Sequence, residues 1–163
     1  MQLPDAEALC ADLVRQLRPH VTAETGMVGI HTGGAWLAER LHRELALALP
    51  LGMLDISFYR DDYRKSGLHK SVRASRIPFD VNGRHLLLVD DVLYTGRTVR
   101  AAMNELFDHG RPESIRLAVL VDRGERQLPV CAQYVGTGLA VPRGTMLRLD
   151  RDAAGRLALR LDT

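Results

Sequence analysis

Hydrophobic residues recur along the chain with two different spacings, and segments of the two kinds alternate. Leu9, Leu13 and Leu17 repeat at helical spacing, which predicts a helix near the amino terminus. Residues 85–89 and 115–121 contain the continuous apolar runs LLLV and LAVLV, a pattern typical of strands buried on both faces of a parallel sheet. We therefore expect an α/β fold with a mainly parallel central sheet flanked by helices.

The same patterns predict the remaining elements. Apolar positions from Val99 to Phe107 share one face of a helix that stops at Gly110. In chain order we expect a helix over 4–18, a strand at 27–31, a helix over 35–49, strands at 55–59 and 85–89, a helix over 98–109, strands at 115–121 and 134–136, and a β-hairpin of 146–149 with 157–161. Residues 60–76 combine many cations with few apolar positions, so we expect a long mobile loop there.

Composition limits the class of protein without naming a function. The 163 residues are 46% hydrophobic and 26% charged with a formal net charge of +2, as in one ordinary globular domain. Cys10 and Cys131 form no CxxC pair, so we expect free thiols in a reducing compartment. The amino-terminal stretch lacks the pattern of a signal peptide, and no apolar run is long enough to cross a bilayer. We therefore expect a cytoplasmic protein.

The stretch LLLVDDVLYTGRT at 86–98 carries the most informative chemistry. Asp90 and Asp91 follow four apolar residues directly, and their charges repel unless a metal or a pair of hydroxyls, such as those of a ribose, compensates. Thr95, Gly96 and Thr98 then lead into a helix, whose amino terminus suits a phosphate. The two features together predict a ribose 5-phosphate site.

Two further loops are expected beside this one. Ligands of parallel sheets bind beyond the carboxyl ends of the strands. Three predicted strands end at residues 32–34, 90–98 and 122–124. We therefore expect these three loops to converge on one crevice.

The stretch VDDVLYTGRT resembles the phosphoribosyl diphosphate motif of the type I phosphoribosyltransferases. Across residues 28–138 the chain resembles one branch of them, the PyrR family of pyrimidine operon regulators with uracil phosphoribosyltransferase activity. The matching stretches are VGIHTGGAWLAERL, LDISFYRDD, LLLVDDVLYTGRTVRAAM and GRPESIRLAVLVDRG. The resemblance implies the type I phosphoribosyltransferase fold, with 60–76 as a lid, 123–145 as a small hood and a carboxyl-terminal hairpin.

The resemblance also implies a reaction and the residues that perform it. Uracil and phosphoribosyl diphosphate would give UMP and pyrophosphate with Mg²⁺. Asp90 and Asp91 would hold the ribose hydroxyls, and Arg60 would close over the pyrophosphate with the lid. The implied substrate-binding residues are Thr32, Gly33 and Gly34 for pyrophosphate, Val92, Leu93, Tyr94, Thr95, Gly96, Arg97 and Thr98 for the sugar phosphate, and Arg123, Val135 and Gly136 for the base. Asp122 would contact the metal through substrate and water.

Several positions depart from the members of the family that bind messenger RNA. Those members have an arginine where this chain has Gly33, and basic residues or histidine where it has Glu125, Cys131 and Thr137. Lost cations weaken phosphate contacts, so we expect reduced RNA binding. A nucleotide-sensing RNA-binding regulator without catalysis and a purine-base transferase remain as alternatives. The resemblance also implies a homo-oligomer, a dimer or larger.

Overall fold

The computed structural model of the protein describes residues 1–57 and 75–163. Within them, helices lie where the periodicity predicts them. Asp5 caps the first helix by accepting the backbone N–H of Glu7. The helices are Ala6–Leu17 (α1), Gly33–Leu45 (α2) and Arg97–His109 (α3), with a 3₁₀ turn at Arg18–His20.

Five strands form the central sheet, and all of them are parallel. They are Gly26–Ile30 (β1), Gly52–Leu54 (β2), His85–Leu93 (β3), Ser114–Asp122 (β4) and Tyr134–Gly138 (β5), in the order β2-β1-β3-β4-β5. Met146–Arg151 (β6) and Leu157–Asp162 (β7) form a separate antiparallel hairpin. The expected α/β fold with a carboxyl-terminal hairpin is therefore confirmed.

Helices cover both faces of the sheet, which explains the continuous apolar runs of β3 and β4. On one face, α1, α2 and the hairpin pack around Leu87, Val89 and Leu120. On the other face, α3 packs on Leu88 and Val119. The central strands β1, β3 and β4 are thus buried on both sides and position the residues at their carboxyl ends rigidly.

Three expected elements differ in detail. Helix α2 begins two residues earlier than expected, at Gly33, and ends at Leu45 rather than Leu49, because Ala46 adopts a left-handed φ of 51°. Of the strand expected at 55–59, residues 58 and 59 lie outside the described residues; residues 55–57 are not a strand, and β2 precedes them, so that Asp55 follows it. On α3, Phe107 is 58% exposed rather than part of the buried face.

Most of the expected loop at 60–76 falls on residues 60–74, outside the described residues. Its last two residues are fixed rather than mobile. Arg76 exchanges two backbone hydrogen bonds of 2.8 Å with Met53, and Ser75 Oγ accepts the backbone N–H of Asp55 at 3.0 Å. The carboxyl-terminal end of the loop is therefore anchored at β2.

Both cysteines are free thiols, as expected. Cys10 lies on α1 and is buried in the core, and burial raises its pKa to about 12. Cys131 is exposed. Among the described residues, no helix has the length and apolar character needed to cross a membrane.

Candidate active site

The carboxyl ends of neighbouring strands form one edge of the sheet, as the parallel pattern predicts. Strand β3 is four residues longer than expected and runs to Leu93, so that Asp90 and Asp91 lie inside it. Its pairing with β1 ends at Val89, whereas its pairing with β4 continues to Leu93 opposite Asp122. The two aspartates therefore begin where β1 stops, beside the turn that leads into α2.

The amino terminus of α2 packs directly on Asp90. Asp90 is 1% exposed, and its Oδ1 accepts the backbone N–H of Asp91 at 3.0 Å. A Cβ on Gly34 would lie 2.9 Å from Asp90 Oδ1 and 2.8 Å from the carbonyl oxygen of Val89. Only a glycine at this position lets the helix come so close to the strand.

Gly33 packs in the same way on Asp91. A Cβ on Gly33 would lie 2.6 Å from Asp91 Cγ, well inside van der Waals contact. The Oδ2 of Asp91, the atom nearest to that Cβ position, also accepts the backbone N–H of Leu149 in β6 at 3.4 Å. Asp91 thus connects the start of α2 with the hairpin.

Thr32 precedes these glycines as the exposed amino-terminal cap residue of α2, and its carbonyl oxygen accepts the N–H of Trp36 at 3.3 Å. The peptide bond from His31 to Thr32 is cis. Thr32, Gly33 and Gly34 therefore lie at a helix amino terminus that faces the two aspartates, where backbone N–H groups and the helix dipole favour an anion.

A second helix amino terminus lies at the end of β3. Gly96, with a φ of 93°, makes the turn into α3, and Thr95 Oγ1 accepts the N–H of Arg97 at 3.2 Å. The carbonyl oxygen of Thr95 accepts the N–H groups of Gln127 and Leu128 at 2.9 and 3.1 Å. These two hydrogen bonds attach the turn to the hood.

Asp122 at the end of β4 is held by the hood. Its Oδ2 accepts a hydrogen bond from Arg126 Nη2 at 2.5 Å, and its Oδ1 accepts the N–H of Gly124 at 2.9 Å. Partial burial raises the pKa of this carboxyl, but the hydrogen bonds from Arg126 and Gly124 outweigh burial and leave the pKa below its ordinary value. Asp122 is therefore ionised at neutral pH with both oxygens engaged.

Arg123 and Tyr94 form a stack beside Asp122. Arg123 is 9% exposed, and its Cζ lies 3.9 Å from the centre of the Tyr94 ring. Its Nη1 donates to the carbonyl oxygen of Thr145 at 3.2 Å, while its Nε is buried without a hydrogen-bond partner among the described residues. Tyr94 OH donates to Glu125 Oε2 at 3.1 Å. The stack joins the end of β3 to the hood.

Val135 and Gly136 do not lie at this edge. Val135 pairs with Val119 in the interior of the sheet, whereas Gly138 pairs with Asp122. The carbonyl oxygen of Val135 accepts a hydrogen bond from Gln16 Nε2 of α1 at 3.0 Å. The edge is reached instead by Gly138, the last residue of β5, and by Leu139 after it, whose N–H donates to the carbonyl oxygen of Asp122 at 2.9 Å.

Comparison with known proteins decides the family. A model of the phosphoribosyl transferase domain matches residues 2–138. A bifunctional protein PyrR of Pseudomonas aeruginosa is 51% identical over 154 residues, which cover 91% of this chain and 90% of that protein. Another, from Ralstonia nicotianae, is 48% identical over 158 residues, with coverage of 94% and 90%. This chain belongs to the PyrR family of phosphoribosyl transferases.

Solved structures agree on the fold. A hypoxanthine-guanine phosphoribosyltransferase of Bacillus anthracis has a TM-score of 0.68 at 20% identity and covers 86% of this chain and 84% of its own. A purine phosphoribosyltransferase of Pyrococcus horikoshii has a TM-score of 0.62 at 24% identity, with 82% of each chain covered. These purine enzymes share the fold, and the resemblance to the PyrR family drawn from the stretches across residues 28–138 is confirmed.

A further buried carboxylate, Asp55, lies at the carboxyl end of β2, and the sequence pattern did not reveal it. Asp55 is 9% exposed and follows β2, whose Leu54 carbonyl oxygen accepts the N–H of His31 at 2.9 Å. Asp55 Oδ1 accepts the N–H of Ser57 at 3.0 Å and also a hydrogen bond from the Ser57 hydroxyl. The signal was the same as for Asp90, an acidic residue after a short apolar run, but apparent alternation at 55–59 obscured it.

Of the predicted site residues, the structure brings together those of the 32–34 turn, the 90–98 stretch and the start of the hood. Arg60 lies outside the described residues. The convergence of the three loops was predicted from strand order alone, and the packing of Gly33 and Gly34 on the aspartates was not.

Proposed function

We propose that this protein transfers the phosphoribosyl group of phosphoribosyl diphosphate to uracil, giving UMP and pyrophosphate. The observation that carries the proposal is the position of Asp90 and Asp91 between two helix amino termini, those of α2 and α3. Carboxylates suit the 2′- and 3′-hydroxyls of a ribose, and helix amino termini suit its phosphates.

The order of these groups matches the substrate. The diphosphate is attached to C1 of the ribose, next to the 2′-hydroxyl, and the α2 amino terminus lies directly on Asp90 and Asp91. The 5-phosphate is at the other end of the sugar, and the 95–98 turn lies a few residues further along β3 and α3. Thr32, Gly33 and Gly34 then hold the pyrophosphate, while Thr95, Gly96, Arg97 and Thr98 hold the 5-phosphate.

The base lies against the hood in this proposal. The Tyr94–Arg123 stack forms one side, and the buried Arg123 Nε is a donor suited to a uracil carbonyl oxygen. Backbone at Gly138 and Leu139, at the end of β5, forms the other side. Val135 and Gly136 support that side from within the sheet, since a Cβ on Gly136 would lie 2.5 Å from the carbonyl oxygen of Leu120 in β4 and 3.3 Å from Leu9 Cβ of α1.

Mg²⁺ fits the donors at this edge. Carboxylate oxygens are the hard ligands that Mg²⁺ prefers, and it commonly retains waters and binds substrate phosphates. Asp90 and Asp91 would contact the Mg²⁺–substrate complex, and the metal would neutralise the charge of the departing pyrophosphate. Asp122 fits this role less well, since Arg126 and Gly124 engage both of its oxygens. We assign Asp122 the role of positioning the hood.

The side chains of the protein orient the substrates and stabilise the charge that develops during the transfer. As the bond from C1 to the pyrophosphate oxygen breaks, C1 becomes cationic and the bond to N1 of uracil forms. The proton of N1 passes to the departing pyrophosphate. Asp90, held rigidly by its burial, orients the sugar and stabilises the developing positive charge. Arg60 and its segment would cover the pyrophosphate and exclude water.

We also propose that regulation through RNA is weakened in this chain and that it assembles as a homo-oligomer. Glu125 is exposed, and its carboxylate accepts from Tyr94 OH and lies 3.7 Å from Arg143 Nε. A carboxylate repels RNA phosphates where a histidine or cation would attract them. Exposed Cys131 supplies no such charge either.

Base choice tests the proposed reaction. The purified protein is given Mg²⁺ and phosphoribosyl diphosphate with either labelled uracil or labelled hypoxanthine, and nucleotide formation is followed. We expect UMP from uracil and at least about 100-fold less product from hypoxanthine, because a site built to hydrogen-bond one base rejects another strongly. Turnover of hypoxanthine alone would show a purine transferase, and UMP binding without turnover would show a nucleotide sensor.

A further inference from the structure

A cavity of about 130 Å³ opens at the amino ends of β3, β4 and β5. This edge is opposite to the one that carries the aspartates, so the cavity is separate from the candidate active site. The end of α1 and residues 20–25 form its outer wall. Of the groups assigned to the phosphoribosyl transferase reaction, none that the structure describes lines it.

Polar side chains form the rim of the cavity, and contacts within the protein hold them in place. Arg116 Nη1 donates a hydrogen bond of 3.1 Å to Tyr134 OH. The His20 ring lies 5.6 Å from the Tyr134 ring at an angle of 45°. His85 Nδ1 lies 2.7 Å from Ser114 Oγ. The rim therefore presents one guanidinium and two imidazoles from three separate elements.

The floor of the cavity is apolar and rigid. Leu17, Leu86 and Leu87 line it and are at most 2% exposed. The turn beside them is closed by Thr25 Oγ1, which accepts the N–H of Thr22 at 2.9 Å. An apolar floor beneath a polar rim suits a ligand that has one apolar side and one charged end.

Charge at the rim favours an anion. In the part of the chain that the structure describes, the lining includes Arg116, His20 and His85 but no aspartate or glutamate. The nearby carboxylate of Glu24 is directed to Arg84, with 3.3 Å between Glu24 Oε2 and Arg84 Nη1. Arg116 uses one hydrogen bond on Tyr134 and keeps further donors in the fork that matches carboxylates and phosphates.

We propose that this cavity binds a small organic anion, with its apolar part on the leucine floor and its carboxylate or phosphate against Arg116 and His85. Pockets for drug-sized ligands measure about 300–1,000 Å³, so this smaller cavity suits a ligand built on a single ring. The proposal stands on the cavity alone and does not depend on the transferase reaction.

Residue-resolved NMR tests the proposal. Benzoate, phenyl phosphate and the uncharged benzyl alcohol are titrated into the ¹⁵N-labelled protein, and the backbone amides of Thr25 and Ser114 report on the cavity. The amide of Gly96 reports on the candidate active site at the same time. We expect both anions to shift the cavity amides with affinities at least about tenfold above that of benzyl alcohol. Comparison of benzoate with phenyl phosphate shows which charged end the rim prefers.

Two variants locate the charge. Arg116→Gln and His85→Ala change exposed side chains, so both proteins keep the core intact. We expect each to weaken benzoate binding at the cavity amides about fivefold to tenfold, while the amide of Gly96 responds as it does in the wild type. Cavity amides that do not respond to benzoate, equal binding of benzyl alcohol, or unchanged affinity in both variants would overturn the proposal.

Discussion

Gly33 at the start of α2 and Asp91 of β3 touch so closely that a Cβ on Gly33 would lie 2.6 Å from Asp91 Cγ. The sequence resemblance implies an arginine at this position in the family members that bind messenger RNA. In this chain the glycine lets Asp91 lie between the helix and the N–H of Leu149. The substitution that removes a cation therefore also fixes where the second carboxylate lies.

Adding a single methyl group at this contact should be costly. We expect Gly33→Ala to displace Asp91 and the α2 amino terminus, and to lower UMP formation about 100-fold, since a shift of about 1 Å in a positioned group can have that effect. The measurement is kcat/KM for phosphoribosyl diphosphate with uracil in saturating amount.

Gly83→Ala is the matched control. Gly83 has a φ of 65° and nothing within 4 Å of its Cβ position, and it lies before β3 at the opposite edge of the sheet. Backbone strain should cost this variant about 1 kcal/mol of stability while kcat/KM stays the same. Equal activity of Gly33→Ala and Gly83→Ala would refute the importance of the contact between Gly33 and Asp91.

Glu7 connects three elements, and its loss should destabilise the fold. Its Oε2 lies 2.5 Å from Arg40 Nη1 of α2, and its Oε1 accepts the N–H of Leu157 in β7 at 2.7 Å. Glu7→Gln should lower the free energy of unfolding by about 2 kcal/mol, since both hydrogen bonds involve charge and little water reaches Arg40. Glu24→Gln, which alters an ion pair whose carboxylate is 85% exposed, should cost less than about 0.5 kcal/mol. Urea denaturation of the three proteins makes the comparison.

The contribution of Glu7 should also depend on pH. The hydrogen bond from Arg40 and that from the Leu157 N–H hold the pKa of Glu7 below its ordinary value of 4.5. As the pH falls, the unfolded chain therefore takes up this proton first, and the stabilisation is lost as the pH passes through the lowered pKa. The difference in unfolding free energy between the wild type and Glu7→Gln should be constant near neutral pH and shrink below about pH 4.5. A difference in unfolding free energy that grows as the pH falls would show that the pKa of Glu7 is raised in the folded protein and not lowered.

Basic side chains at positions 125, 131 and 137 should strengthen RNA binding if the absence of cations there weakens it. We expect the triple variant Glu125→His, Cys131→Arg, Thr137→Lys to bind a pyrimidine-operon leader RNA more tightly than the wild type in the presence of UMP. Each new phosphate contact should steepen the dependence of log affinity on log salt by about 0.7 for single-stranded RNA. Tight binding by the wild type that resists salt would contradict the account.

Much of the fold follows from local patterns because the sheet is parallel. Strands β3 and β4 are buried on both faces, so their runs of Leu and Val have no polar interruption and are recognised easily. Strand β2 was misplaced, since three residues give too little pattern and tertiary pairing with Val28 and Ile30 decides their position. The exposure of Phe107 likewise depends on what packs against α3 and not on its periodicity.

The site could be predicted where charged or phosphate-binding residues directly follow a predicted strand in the sequence. Asp90, Asp91 and the turn at Gly96 are adjacent in sequence, so their pattern is visible there. Contacts between residues that are not adjacent in sequence leave no such pattern. Nothing in the sequence predicted that Arg126 would bind Asp122, or that Gly136 would lie within β5 rather than at the carboxyl ends of the strands. Asp55 was missed for the related reason that its neighbours alternate like a strand.

The most direct test of the account is the transfer reaction of Asp90→Asn beside Asp108→Asn. Asp90 is 1% exposed at the proposed ribose site, whereas Asp108 is exposed near the end of α3, so the same chemical change is made inside and outside the site. We predict that wild type and Asp108→Asn form UMP from uracil and phosphoribosyl diphosphate at equal rates. The kcat/KM of Asp90→Asn should be at least about 100-fold below that of the wild type, while its unfolding transition stays cooperative like that of the wild type. Equal turnover by Asp90→Asn and wild type would contradict the assignment of the ribose site to the end of β3.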